Sequence, residues 1–416
     1  MELRRAYRFE LDPNNCVRTL LAKHAGTARF AFNWSLARRI ERFKTQEGKD
    51  KFTSAIAEHR ELNALKSTVF PWMYEVSKCA PQEALRDLDK AFKSFWARRK
   101  QGVGFPKFKK KHVSKDSFRL TGSIETQSRY VKLPRLGAIR TKEKIAGRVT
   151  GKILSATVSR VADRWFVSLT TVEEVPAPAP VKGPRAGVDL GISAFAAVSS
   201  GDEKIKISSP NPLKKALTRL ALAQKSHTRK VKGSHNRRKA AQKIAKIHAR
   251  VANVRKDFLH KFTTGLAKTK SAIVVEDLNV RGMTKNRCLA RSILDQGWGE
   301  TRRQLEYKTV WYGSQLIVAD RWFPSSKICS ECGLKRGKLS LSVREWACEG
   351  CGGVHDRDEN AATNLERYPE FPGNLGSVDP KKPVEILLTA EREAKAFRST
   401  SYGSLKQEAN IEVLSS

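Results

Sequence analysis

Residues 344–364 read REWACEGCGGVHDRDENAATN. Cys348 and Cys351 have the spacing of a metal knuckle, and Asp356, Asp358 and Glu359 follow at once. A second pair, Cys329 and Cys332, lies upstream, with fifteen residues between Cys332 and Cys348. Each C-x2-C turn aims two thiolates at one point. Four thiolates complete a tetrahedral shell with no open position, the pattern of a zinc ribbon holding one structural Zn²⁺. Gly333 and Gly352 directly follow the second cysteine of each pair, where a tight knuckle needs a permissive backbone. Free core cysteines or a redox pair are the plainer readings, but two matched pairs at ribbon spacing favour zinc. Cys16, Cys79 and Cys288 are scattered, so the seven cysteines make no secreted disulfide framework and point to a reducing compartment.

The acids beyond the ribbon have counterparts upstream. Asp189 sits in the apolar GVDLGI and Glu276 in IVVEDL, both reading as buried strands, while DRDENAA places Asp358 at the start of a helix. An acid in an apolar strand is costly to bury unless it is paired or bound to metal. Carboxylates are hard oxygen ligands suited to Mg²⁺, and two such ions roughly 3.5–4 Å apart can activate water and stabilise the leaving oxygen of a phosphodiester. Neighbouring residues on a strand face opposite ways, so only one of Glu276 and Asp277 reaches such a site; the exit turn after Glu276 favours Glu276. Asp358 gains from the helix dipole. Taken singly, Asp358 reads as an N-cap, Asp189 as a turn residue and Glu276 as a strand-end acid.

Charge narrows the partners. The chain of 416 residues has 80 Lys and Arg against 42 Asp and Glu, a net of +38. Such an excess repels itself until a polyanion neutralises it, which points to nucleic acid. Residues 213–256 hold 15 Lys and Arg and no acid, at spacings that predict two long helices broken near Gly233. RRKQGVGFPKFKKK at 98–111 is a basic loop broken by Gly and Pro. From these stretches come candidate phosphate contacts: Lys107, Lys109, Lys110, Arg229, Lys230, Arg237 and Arg238. No apolar run approaches bilayer thickness, and MELRRAYRFELDP lacks the apolar stretch of a signal peptide, so we expect no membrane partner.

The N-terminal half alternates as a strand over 1–12, turns helical from about 15 to 100, and reads as β over 117–175. PAPAPVKGP at 176–184 is a linker. This predicts a small β domain with helices inserted after its first strand. Residues 371–416 are weakly periodic and mixed in charge, the composition of a disordered tail.

In their order and separation, GVDLGI, VVEDLNV, the four cysteines and HDRDENAATNL resemble the TnpB (OrfB) proteins of insertion sequences, relatives of compact type V CRISPR effectors. YRFELDP, ARFAFNWSLA and LDKAFKSFW with GVGFPKFKKK extend the resemblance over about residues 1–368. It implies a multidomain α/β-plus-β protein: a wedge-like β-barrel from 1–12 and 117–175, a helical recognition insertion at 13–116, and an RNase H-like, RuvC-type core from 185–325 and 355–370, interrupted by the ribbon at 326–354. It further implies Asp189, Glu276 and Asp358 as catalytic Mg²⁺ ligands, and Lys78 and Gln82 as contacts to duplex DNA. The implied activity is RNA-guided cleavage of DNA: a guide RNA from the transposon end pairs with the target, and the protein reads a short adjacent motif. The implied setting is a prokaryotic cytoplasm, associated with the nucleoid. An RNA-guided repressor or a miniature CRISPR effector of the same fold stays open, as does the oligomeric state.

Overall fold

We describe residues 1–368 of a computed structural model, apart from 49–51, 338 and 341. The tail expected at 371–416 lies outside the described residues.

The first strand β1 (Glu2–Leu11) leads into α1 (Asn15–Thr45), capped by Asn14, whose side chain accepts the Val17 amide at 2.9 Å. Then come α2 (Ala55–Ala64) and α3 (Cys79–Arg98). β2 (Ser117–Leu120) opens a β region with β3 (Glu125–Gln127), β4 (Tyr130–Leu133), β5 (Gly137–Arg140), β6 (Lys152–Val161) and β7 (Arg164–Glu174). β1 pairs along its whole length with β7, so the helices between β1 and β2 leave and return to one sheet. The antiparallel order is β1-β7-β6-β2, with a separate β3-β4-β5 sheet that meets β1 at a Leu11–Thr141 bridge. Alternation along β1 buries Leu3, Phe9 and Leu11. Phe9, Phe118, Val167 and Leu169 of the sheet share one core with Leu21, Leu36, Leu85 and Leu88 of α1 and α3.

The second core is built on a five-stranded sheet. β8 (Ala186–Leu190), β9 (Ala196–Ser200) and β10 (Glu203–Ile207) form an antiparallel meander. α4 (Pro212–Thr228) and α5 (His235–Thr269) follow, separated at Gly233, where φ is +87°. β11 (Ala272–Glu276) then joins β8 in parallel. After α6 (Val280–Met283), α7 (Ala290–Gln296) and α8 (Trp298–Tyr312), β12 (Gln315–Ala319) adds in parallel to β11. The order β10-β9-β8-β11-β12 is the mixed α/β sheet expected of an RNase H-like core. The ribbon hairpin β13 (Glu345–Ala347) and β14 (Val354–Asp356) runs directly into α9 (Arg357–Glu366), which packs on β8 and β9. A Cβ at Gly187 would stand 2.0 Å from the Ala362 carbonyl oxygen and 2.3 Å from the Glu366 nitrogen, so the glycine of GVDLGI is what lets α9 lie on the strand. The linker docks on the second core, with the Val181 amide donating to Gly313 O at 3.1 Å.

Candidate active site and metal centre

β8 and β11 run in register through Val188 and Val275, so Asp189 and Glu276 are the next residues along two adjacent parallel strands, at their carboxyl ends. The choice between neighbouring acids follows from their partners. Asp277 binds Arg302 at 2.6 Å and also Arg321. Glu276 Oε1 accepts only from Ser325 Oγ, at 2.5 Å, among the described residues.

The acids of α9 divide in the same way. Asp356 is the N-cap: its Oδ1 accepts the Asp358 amide at 3.0 Å and the Glu359 amide at 3.1 Å. Its Oδ2 pairs with Lys206 Nζ at 2.5 Å, and Lys206 also reaches Glu359 at 3.6 Å. The capping role read for Asp358 in isolation therefore falls to Asp356. Asp358 lies 3.7 Å from Arg344 of the ribbon and acts electrostatically on Asp189.

Burial pushes the Asp189 carboxyl well above its ordinary range, and the charges of Glu276 and then Asp358 push further, with Arg357 opposing. Burial also raises Glu276, against the Ser325 hydrogen bond and Arg357. The charges of Glu276 and Asp358 both act on Asp189, although among the described residues the oxygens of the three acids are not all within 4.8 Å of one another. Repelling, partly desolvated carboxylates of this kind fit hard divalent cations, which relieve the repulsion.

The cysteines gather tightly. Cys329 Sγ and Cys351 Sγ are 3.6 Å apart, and Cys332 Sγ and Cys348 Sγ 3.5 Å. A tetrahedral ion with bonds of about 2.3 Å sets its sulfurs roughly 3.8 Å apart, so the set fits zinc. Both knuckles close identically: Gly333 N donates to Cys329 O and Gly352 N to Cys348 O, each at 2.9 Å, with φ of +76° and +73° at the glycines.

Three residues between the centres escape a reading by spacing. His355, buried, has Nε2 3.0 Å from Cys329 Sγ. Asn360 and Asn364, both buried, donate to Ile328 O at 2.7 and 2.6 Å; Asn364 also donates to Ser325 O at 2.7 Å, and Asn360 Oδ1 accepts the Ser330 amide at 2.9 Å. Two amides four apart on an otherwise alanine-rich helix face are the signal that could have found them.

The candidate nucleic-acid contacts lie on three elements: the start of α3, the basic loop and the α4–α5 turn. Lys78 is exposed at the start of α3, with Gln82 half-buried one turn on. Lys107 and Lys110 are exposed, but Lys109 is half-buried, its Nζ 3.8 Å from the Phe32 ring centre. Arg229 and Arg238 are exposed beside the α4–α5 turn, where Arg237 donates to the Lys230 carbonyl at 2.8 Å.

The molecule thus joins a mixed α/β core, acidic at its strand ends, to a Cys₄ ribbon that delivers its last helix. Residues 168–287 match the family described as "Probable transposase", residues 298–365 that described as "Cas12f1-like, TNB domain", and residues 1–49 one described as "Helix-turn-helix domain". In that last region the structure has a strand and one long helix. A Streptomyces pristinaespiralis protein named "Putative RNA-guided DNA endonuclease" is 39% identical over 88% of this chain and 89% of its own. An Escherichia coli K12 protein of like name is 32% identical over 88% and 92%. The structure titled "Cryo-EM structure of the Cas12f1-sgRNA-target DNA complex" shares the fold at TM-score 0.53 and 14% identity, covering 89% of this chain and 99% of that one. The chain belongs to the OrfB (TnpB) family.

Proposed function

We propose that this protein is an RNA-guided DNA endonuclease of an insertion sequence, hydrolysing phosphodiesters with Mg²⁺ held by Asp189, Glu276 and Asp358. The observation that carries the reading is their meeting at the carboxyl ends of β8 and β11 and the start of α9, where Asp189 and Glu276 are pushed away from ionisation. Relatives that share most of the chain are named for this activity.

When bound, the ions supply an activated water and neutralise charge at the leaving oxygen. The chain's own residues set the frame. Ser325 holds Glu276, Asp356 fixes the first turn of α9, and Lys206 occupies Asp356 and Glu359, the acids on either side of Asp358. Zn²⁺ on Cys329, Cys332, Cys348 and Cys351 anchors the ribbon without chemistry of its own. Residues 1–12 and 117–175 serve as the wedge and 13–116 as the recognition insertion; 185–325 with 355–370 form the nuclease domain and 326–354 the ribbon. Guide RNA and target DNA are the partners, with Lys78, Gln82 and the exposed lysines and arginines of the basic loop and the α4–α5 turn as contacts. The expected setting is the prokaryotic cytoplasm; among the described residues no helix is long and apolar enough to cross a membrane.

The test is to co-purify the protein with RNA from the transposon end and sequence that RNA. The complex is then given Mg²⁺ and a plasmid library with the matching target beside randomised bases. Cleavage by the wild type and none by Asp189→Ala supports the reading. Bound target that the wild type leaves uncut reduces the protein to an RNA-guided binder.

A further inference from the structure

Trp322 is the most exposed large hydrophobic residue of the described chain, at 83%. It makes no ring contact among the described residues, while its neighbour Phe323 is buried against Tyr368, with ring centres 5.0 Å apart. The turn presenting it is well fastened. Asp320 Oδ1 accepts the Trp322 amide at 2.8 Å, and Asp320 O accepts the Phe323 amide at 3.0 Å. Arg321 holds the turn to Asp277 through a salt bridge and a 3.3 Å bond to its carbonyl. The turn begins one residue past Ala319, the cross-strand partner of Glu276, and it ends at Ser325, which binds the Glu276 carboxylate. A bare indole is therefore carried on a fastened backbone turn beside the acidic strand ends.

We propose that Trp322 is a stacking platform for an unpaired nucleobase of the strand being cut, which rests on the nuclease reading above. A base in a duplex has both faces covered by its neighbours, whereas an unpaired one offers a π-face to an aromatic side chain. Charge selects this occupant over a second copy of the chain: at +38 two copies repel each other, whereas a phosphate backbone is attracted. Trp322 takes no part in the chemistry; it fixes the register in which the backbone crosses the acids.

The full chain in an Asp189→Asn background is titrated with a single-stranded oligodeoxythymidylate carrying one 2-aminopurine, whose fluorescence falls on stacking. Guided cleavage is measured separately in the otherwise wild-type chain. Stacking of this kind supports about tenfold in affinity. Trp322→Ala should lose the quenching and weaken binding by about that factor. Trp322→Phe should restore most of both. In cleavage the loss should fall on KM more than on kcat, with thermal stability unchanged. Equal quenching and equal KM in Trp322→Ala overturns the proposal, as does a change only in self-association by light scattering. Failure of guided cleavage alongside Trp322-dependent quenching would instead count against the nuclease reading and leave the platform standing.

Discussion

Asp356 Oδ1 accepts the Asp358 amide at 3.0 Å, so of two acids one residue apart the first holds the helix and the second is left for the site. Asp356→Ala should lower stability by about 1 kcal/mol, the usual cost of a lost N-cap, and leave measurable cleavage. Asp358→Asn loses only a long ion pair to the exposed Arg344, so it should keep stability within about 0.5 kcal/mol and abolish cleavage. Urea unfolding and plasmid cutting, run on both variants, separate the roles; the opposite ordering would reverse the assignment.

Gly187 offers a test that touches no charge. Its Cβ would collide with the α9 backbone at Ala362 and Glu366, which cannot swing aside as a side chain would. Gly187→Ala should cost about 3 kcal/mol, the upper range of overpacking, and lift Asp358 from the strand ends. The melting temperature and the cutting rate should fall together. An unchanged rate would show that α9 tolerates the shift.

The four-cysteine cluster, the strands that carry Asp189 and Glu276 and the break at Gly233 between two helices were legible in the sequence because each rests on short-range spacing. What it hid depends on contacts distant along the chain. Lys109, a phosphate contact by its place in KFKKK, lies over Phe32 because Asn33 holds the loop, accepting the Lys109 amide at 2.8 Å and donating to its carbonyl at 2.9 Å. α6, α7 and α8 escaped since polar runs such as TRRQLEYKTVW have weak periodicity, and α8 is set by packing against α5, α7 by packing against α4. The capping choice between Asp356 and Asp358 needed the position of Lys206, 150 residues away.

His355 links the two centres through its contact with Cys329, 3.0 Å away. Partners of metal ligands typically carry tenfold to a hundredfold in metal affinity. His355→Phe, which keeps the ring and removes the donor, should weaken zinc binding by such a factor and shift the sulfur-to-metal absorption of the cobalt-substituted ribbon. His355→Gln should recover part of both. Unaltered zinc affinity and cobalt spectra in the Phe variant would reduce the contact to packing.

Lys308 should give stability a pH slope. It is buried between α5 and α8, with Nζ bonded to His260 O, Thr263 Oγ1, Thr264 Oγ1 and Gln304 Oε1 at 2.7–3.3 Å and, among the described residues, no carboxylate in ion-pair range. Burial lowers its pKa to about 8, against the nearby Glu300 charge. The unfolded chain then holds this proton more tightly than the fold does, so this group's contribution to stability rises with pH between about 8 and the ordinary 10.5. Denaturation at pH 7.5 and 9.5 should show that component in the wild type and not in Lys308→Met. Equal slopes in the two proteins would place the charge in a better-solvated environment.

Asp189 couples the proposed chemistry to stability. Its folded carboxyl is raised, so the metal-free fold binds the proton more tightly than the unfolded chain, and this group costs stability as pH rises through its folded pKa. Without metal at neutral pH, Asp189→Asn should therefore melt higher than the wild type, since it removes a charge repelled by Glu276 and Asp358. Added Mg²⁺ binds only the folded site, so it should raise the wild-type melting temperature in proportion to its saturation and move the Asn variant little. Cleavage should be absent from the variant throughout. A wild type indifferent to Mg²⁺ and more stable than Asp189→Asn would mean that the three acids form a structural network, and the catalytic assignment would fall with it.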